Sequence, residues 1–267
     1  LGIDGLPQSG DEAQVVSNSW GSSSLIEDGW DVFSRFPAEL NRGDAPQTVF
    51  LAATGNGGHG YATVTSPGGG TILDIGASTF NGESVYFERV QPNQFLYGDV
   101  QPWSNRGPGT QGDIAPDLTA VGAWGLGPNP LNYYYGNAQT AYDLFGGTSM
   151  STPLAAGGMA LVYQAYRRSH GNWPTWQQAR ELLLTGAHDL GYDALTQGGC
   201  DLRVDRSVAA ALDTSARVSP VQWTPGTAYT AYPSTLQPGQ TAAQTFTLEN
   251  PLSTDLPVGL TATHLQA

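Results

Sequence analysis

At 267 residues the chain is long enough for one large core and a small second unit. Its 23 acidic residues against 10 basic ones give a formal charge of -13, which argues against nucleic acid or an anionic membrane as a partner. The single Cys200 excludes an internal disulfide, and no run approaches the roughly 18 apolar residues of a membrane span.

All ten basic residues are arginine, a bias that leaves nothing for lysine-directed peptidases to cut, and the abundant glycine and proline fit a loop-rich secreted or extracellular enzyme. After a polar lead, Val15 and Val16 begin a short strand that ends in a turn at Gly21. Trp20 beside that turn either lines a pocket or packs inward. Residues 25–42 place apolar side chains at helical spacing with a break near Pro37, predicting an amphipathic helix over one face of a sheet. Residues 48–53 are too continuously apolar to be half exposed and predict a central parallel strand. That strand runs directly into Thr54-Gly55-Asn56-Gly57-Gly58-His59-Gly60. Taken alone, Asn56 is a turn residue among glycines, although its amide also donates hydrogen bonds without a titratable charge.

Residues 72–78 are mostly apolar with Asp74 among them, and residues 79–100 predict a hairpin or surface excursion. A tyrosine-rich loop occupies residues 124–139. Helices are expected up to about His170, over residues 175–184 and near residues 206–212. Beyond Asp213 charges become scarce while Thr, Pro and Ala accumulate, and alternation such as Thr245-Phe246-Thr247-Leu248 predicts β structure.

The stretch on which these elements converge is Gly146-Gly147-Thr148-Ser149-Met150-Ser151-Thr152-Pro153. A tight glycine turn delivers a serine to the start of a long helix, where Thr148 or Ser149 can cap and Pro153 is tolerated in the first turn. Unpaired amides and the positive helix end favour a developing negative charge at that serine. An ordinary capped helix also begins this way, so local physics leaves both readings open. The stretch resembles the nucleophile motif of the subtilisin-like serine peptidases. Further segments are similar to that family in the right order: Ser19-Trp20-Gly21, Ala53-Thr54-Gly55-Asn56-Gly57, Trp103-Ser104-Asn105-Arg106-Gly107-Pro108 with Pro116-Asp117, and Gly198-Gly199-Cys200-Asp201.

The resemblance implies an α/β fold with a mostly parallel sheet covered by helices, incomplete at its N-terminal side and followed by a small all-β segment. It divides the chain into residues 1–213, the C-terminal part of a peptidase domain, and residues 214–267, a partial β-sandwich-like segment. It makes Ser149 the nucleophile and Asn56 the side-chain donor of the oxyanion hole. Ser19, Trp20 and Gly21 border the substrate pocket, and Ala53, Thr54 and Gly55 form one of its walls. Asp113 and Asp117 fall in a segment that turns the chain beneath the site and are not expected to be the catalytic acid. His59 lies past Asn56 in a loop, outside the setting in which the family places its base, and Cys200 is expected to be a packed small side chain.

The implied activity is peptide-bond hydrolysis through an acyl-enzyme, with no cofactor in the chemistry. Family loops also bind calcium, but no spacing here identifies a metal site. The expected partners are a polypeptide substrate and an N-terminal fragment of the same precursor carrying the aspartate and histidine. A family-like sheet without its preceding strands is expected to expose apolar edges at Val15, Val16 and residues 49–53. The alternative is a non-catalytic, peptidase-like scaffold that binds peptide or protein.

Overall fold

The computed structural model describes residues 2–7, 9–26, 29–79, 98–110, 112–130, 141–220, 239, 241 and 243–261. Four parallel strands form the central sheet: β1 (Val15–Asn18), β3 (Val49–Ala53), β5 (Leu73–Thr79) and β6 (Leu118–Ala123), side by side in that order. Val15 stands opposite Val49, Leu51 opposite Leu73 and Ile75 opposite Leu118. Every residue of β3 and β5 is buried, the signature of parallel strands covered on both faces. Side chains alternate between those faces. Val49 and Leu51 pack with Leu73, Ile75 and Leu118 against the long helix, whereas Phe50 and Ala52 join Ile72, Val16 and Leu40 on the other side.

The two faces are covered by different helices. On one lies α1 (Val32–Arg42); on the other lie α2 (Thr148–His170), α3 (Trp176–Thr185) and α5 (Val204–Ala211), while the short α4 (Ala194–Gln197) caps one end. The hub is α2, whose buried Ala155, Met159, Val162 and Tyr163 lie over the sheet. Its Gly158 lets α5 approach so closely that an added Cβ would meet Val204 at 2.7 Å. Small antiparallel pairs flank the sheet. They are β2 (Ser22–Ile26) with β4 (Thr65–Ser66), β7 (Gly125–Pro128) with β8 (Tyr142–Phe145), and β9 (Arg217–Ser219) with β10 (Thr247–Glu249). The last pair follows the α/β unit and is tied back by Arg217, which bonds Asp213 at 2.6 Å and Glu249 at 2.8 Å.

Several expectations are corrected. Leu25 and Ile26 belong to β2, and the helix predicted from residue 25 begins at Val32, where Asp31 caps it through the amides of Phe33 and Ser34. It runs through Pro37 without a break. The sheet edge expected at residues 49–53 does not exist, because β3 pairs on both sides; of the two expected edges β1 alone is one, and β6 ends the sheet on the other side. The excursion predicted over residues 79–100 and the tyrosines at 133–135 fall largely outside the described residues. Val100 bridges to Ser78 and takes over the flank of β5 where β3 has ended.

The buried Asp74 is the unusual member of β5. Its carboxylate accepts from the Gly69 amide at 2.9 Å, and its own amide donates to Asp117, which is ion-paired with Arg180. Burial and the neighbouring Asp117 charge push the Asp74 carboxyl well above the ordinary carboxylate range.

Candidate functional site

Three sheet-end segments meet at the start of α2. The nucleophile candidate is presented by Gly147, the N-cap residue, whose φ of 151° suits only glycine and whose amide donates to the Gly122 carbonyl at 2.8 Å. No side chain caps this helix, contrary to the capping expected of Thr148 or Ser149. Instead the Thr148 hydroxyl and amide both donate to Asn56 Oδ1, at 3.0 and 2.8 Å, and Thr148 Oγ1 accepts from the Gly55 amide at 3.2 Å. Two donors converging on one atom fix the amide's orientation: the oxygen faces Thr148 and Nδ2 is turned toward the Gly147–Ser149 side. A Cβ built on Gly147 would lie 3.4 Å from Asn56 Nδ2, so the side-chain NH2 and the first turn of α2 border the same space.

Ser149 is half-buried in that first turn, where its amide has no intrahelical acceptor. Its hydroxyl donates to the Ser19 carbonyl at 3.3 Å, and Ser19 Oγ donates to the Ser149 carbonyl at 3.0 Å. This reciprocal pair joins the end of β1 to the start of α2. Alongside opens a cavity of about 380 Å³ lined by Ser19, Trp20, Gly21, Ala53, Gly55, Asn56 and Ser149. Trp20 faces solvent with 51% of its surface exposed, packs edge-on to Phe33 and donates through its indole N–H to Asn18. Thr54 does not line the cavity: it is buried, and its hydroxyl donates to the Ile75 carbonyl at 3.3 Å.

Sequence reasoning did not assign to the cavity Ala62, Thr63, Thr65, Asn105 and Thr148, which also line it. None of the lining side chains is ionisable. Asn105 is buried and donates to the Thr54 carbonyl while accepting from the Gly57 amide, both at 2.7 Å. Nothing in the sequence marks those bonds beyond an asparagine within a serine, arginine and glycine turn.

The described histidines stand elsewhere. His59 is exposed in its loop and absent from the cavity lining, His170 pairs with Asp213 at 3.3 Å, and the His188 backbone bridges to Asp201. Asp113 lies in the turn after Gly109, and Asp117 is committed to Arg180. Burial pushes the Cys200 thiol up to about 11, which keeps it protonated and unsuited to act as a nucleophile. Among the described residues no cluster of His, Cys, Asp or Glu is placed to hold a metal ion, and no helix is long and apolar enough to cross a membrane.

Comparison with known proteins places this arrangement in context. The subtilase family model matches residues 3–204. The chain belongs to the subtilase family. It is 28% identical over 202 residues to tripeptidyl-peptidase 2 of Oryza sativa subsp. japonica, covering 73% of this chain and 14% of that protein. It is 30% identical over 196 residues to pyrolysin of Pyrococcus furiosus, covering 69% of this chain and 13% of that protein. The subtilase chain thus spans about one seventh of the length of these curated relatives. The self-cleaved protease domain of PatA shares the fold, with a TM-score of 0.53 at 23% identity over 74% of this chain and 62% of that one.

Proposed function

We propose that this subtilase chain carries the nucleophile, Ser149, and the oxyanion donor, Asn56, of a serine endopeptidase whose catalytic histidine and aspartate lie on an upstream segment or on another chain. The observation that carries the reading is the Asn56–Thr148–Ser149 geometry: an amide anchored by its oxygen, its NH2 turned to the same space as the nucleophile's helix end. In the proposed reaction the external imidazole takes the Ser149 proton as Oγ bonds to the scissile carbonyl carbon. The carbonyl oxygen becomes an oxyanion held by Asn56 Nδ2 and the Ser149 amide. Collapse expels the amine, which receives the proton from the imidazole, and water then releases the acyl group by the same steps.

A second observation supports an external base. Beginning just past the nucleophile, α2 leaves Leu154, Gly157, Ala160 and Leu161 exposed at helical spacing, with the two leucines 46% and 50% exposed. A segment lying along that stripe reaches the Ser149 end of the helix. We assign it to the N-terminal fragment of the same precursor, which would bring the imidazole within reach of Oγ. The uncharged cavity suits a large apolar or neutral substrate side chain, because a charge buried there would find no partner. In the same reading residues 1–213 are the C-terminal part of the peptidase unit and residues 214–267 a partial β-sandwich-like segment, and the composition fits a secreted protein.

The test is labelling of the full-length protein with a fluorophosphonate, together with a casein zymogram, against a Ser149→Ala control. Labelling at Ser149 and a clearing zone that Ser149→Ala abolishes are expected. Peptide binding without either would establish the non-catalytic scaffold instead.

A further inference from the structure

Resting on the reading of Asn56 as oxyanion donor, we propose that Asn105 is a positioning residue for that donor, acting as a brace beneath the loop that carries it. The loop leaves β3 at Ala53, and Asn56 itself touches only Thr148 in the hydrogen bonds described above. Asn105 grips the chain on both sides of Asn56. Its Nδ2 donates to the Thr54 carbonyl at 2.7 Å, its backbone amide to the Gly55 carbonyl at 3.1 Å, and its Oδ1 accepts from the Gly57 amide at 2.7 Å. A primary amide is the side chain that offers a donor to one strand of the loop and an acceptor to the other.

The brace is itself anchored. Ser104 is fully buried and its Oγ accepts from the Ala77 amide of β5 at 3.0 Å, while Trp103 accepts from the Gly58 amide at 3.2 Å. The loop is shaped to admit the brace: Gly55 has φ +104°, and a Cβ there would lie 2.2 Å from Asn105 Nδ2. Any larger residue would therefore displace Asn105 or the loop. Because an oxyanion donor must sit within about 2.7–3.1 Å of the developing charge, a shift of the loop by a fraction of an ångström removes its contribution. Thr148 fixes which way the Asn56 amide faces; Asn105 fixes where its backbone stands.

The experiment compares kcat and KM for Asn105→Asp and Asn105→Ser in the full-length protein, each in the wild-type and Asn56→Ala backgrounds, on a chromogenic peptide. Asn105→Asp keeps the acceptor for Gly57 and sets an oxygen against the Thr54 carbonyl. In the wild-type background kcat is expected to fall about tenfold or more with KM within about threefold, and in the Asn56→Ala background the further loss should be under about twofold. Equal losses in both backgrounds, or an unchanged kcat in a variant that melts cooperatively, would overturn the brace. If neither variant folds, hydrogen exchange on the wild-type protein decides: the Gly57 amide should exchange as slowly as the β5 amides, and fast exchange overturns the proposal. An Asn56→Ala protein with undiminished kcat overturns the oxyanion reading itself, so the two failures are told apart.

Discussion

Asn56 is useful because half of its hydrogen-bonding capacity has been taken up. With Oδ1 held by the Thr148 hydroxyl and amide, its NH2 is kept from flipping, and in the proposed reaction that NH2 would be preorganised for charge that appears only in the transition state. Asn56→Ala in the full-length protein is therefore expected to lower kcat by ~10²–10³ with little change in KM, read by steady-state kinetics on a peptide substrate. Asp74 supports a prediction of another kind. Its folded carboxyl pKa is raised above the unfolded value of about 3.9, so the native state binds the extra proton, and stability falls as pH climbs from that value through the folded pKa. Asp74→Asn removes this titration. Its melting temperature should fall less than that of the wild type between acid and neutral pH, and a variant with the wild-type pH slope would clear Asp74 of the effect. At this scale the sequence made Ser149 and Asn56 readable as candidates, since both sit in motifs whose chemistry demands their residue types. It did not reveal that Thr54 turns inward to the Ile75 carbonyl, because the direction of one side chain at a strand end depends on the neighbouring strand.

Helix α1 teaches why periodicity located an element and misjudged its face. Its buried positions include Ser34 and Asn41, which bond Gly68 and the Ala45 and Thr48 carbonyls, while Val32, Phe33 and Phe36 stay exposed. The Ser34 hydroxyl and the Asn41 amide nitrogen have partners, which offsets their burial although Asn41 Oδ1 has none, so the hydrophobic stripe did not point to the sheet. The true start was marked by Asp31, and Asp31→Ala should cost about 1 kcal/mol in a denaturant melt. The Leu154–Leu161 stripe of α2 invites the complementary experiment. Leu161→Glu alters a half-exposed position and should change the stability of the chain alone by no more than about 0.5 kcal/mol. In the full-length protein the same change should depress peptidase activity and loosen the N-terminal fragment after limited proteolysis. Activity equal to wild type would show that nothing essential lies on that face.

Across the whole molecule, elements were legible where local chemistry marks them, as in the continuous apolar run of β3 and the capping box of Thr175 and Gln178 that starts α3. What stayed hidden was long-range: which strand became the edge, and which residues crossed from one loop to brace another. The same long-range logic sets the expected behaviour of residues 1–267 by themselves. A serine hydroxyl whose acceptor is the Ser19 carbonyl, with no imidazole among the described residues at the cavity, is a weak nucleophile. Fluorophosphonate should therefore label Ser149 slowly in this chain. In the proposed reading the β1 edge and the α2 stripe receive the N-terminal fragment, and a segment that binds only the folded state stabilises it by mass action, about 2.7 kcal/mol at a hundredfold excess over Kd. Adding the histidine-bearing segment should consequently raise the melting temperature and the labelling rate together, both saturating at the same concentration. A chain that labels at the full rate unaided would mean that its base lies within it, and His59→Ala would be the first substitution to make.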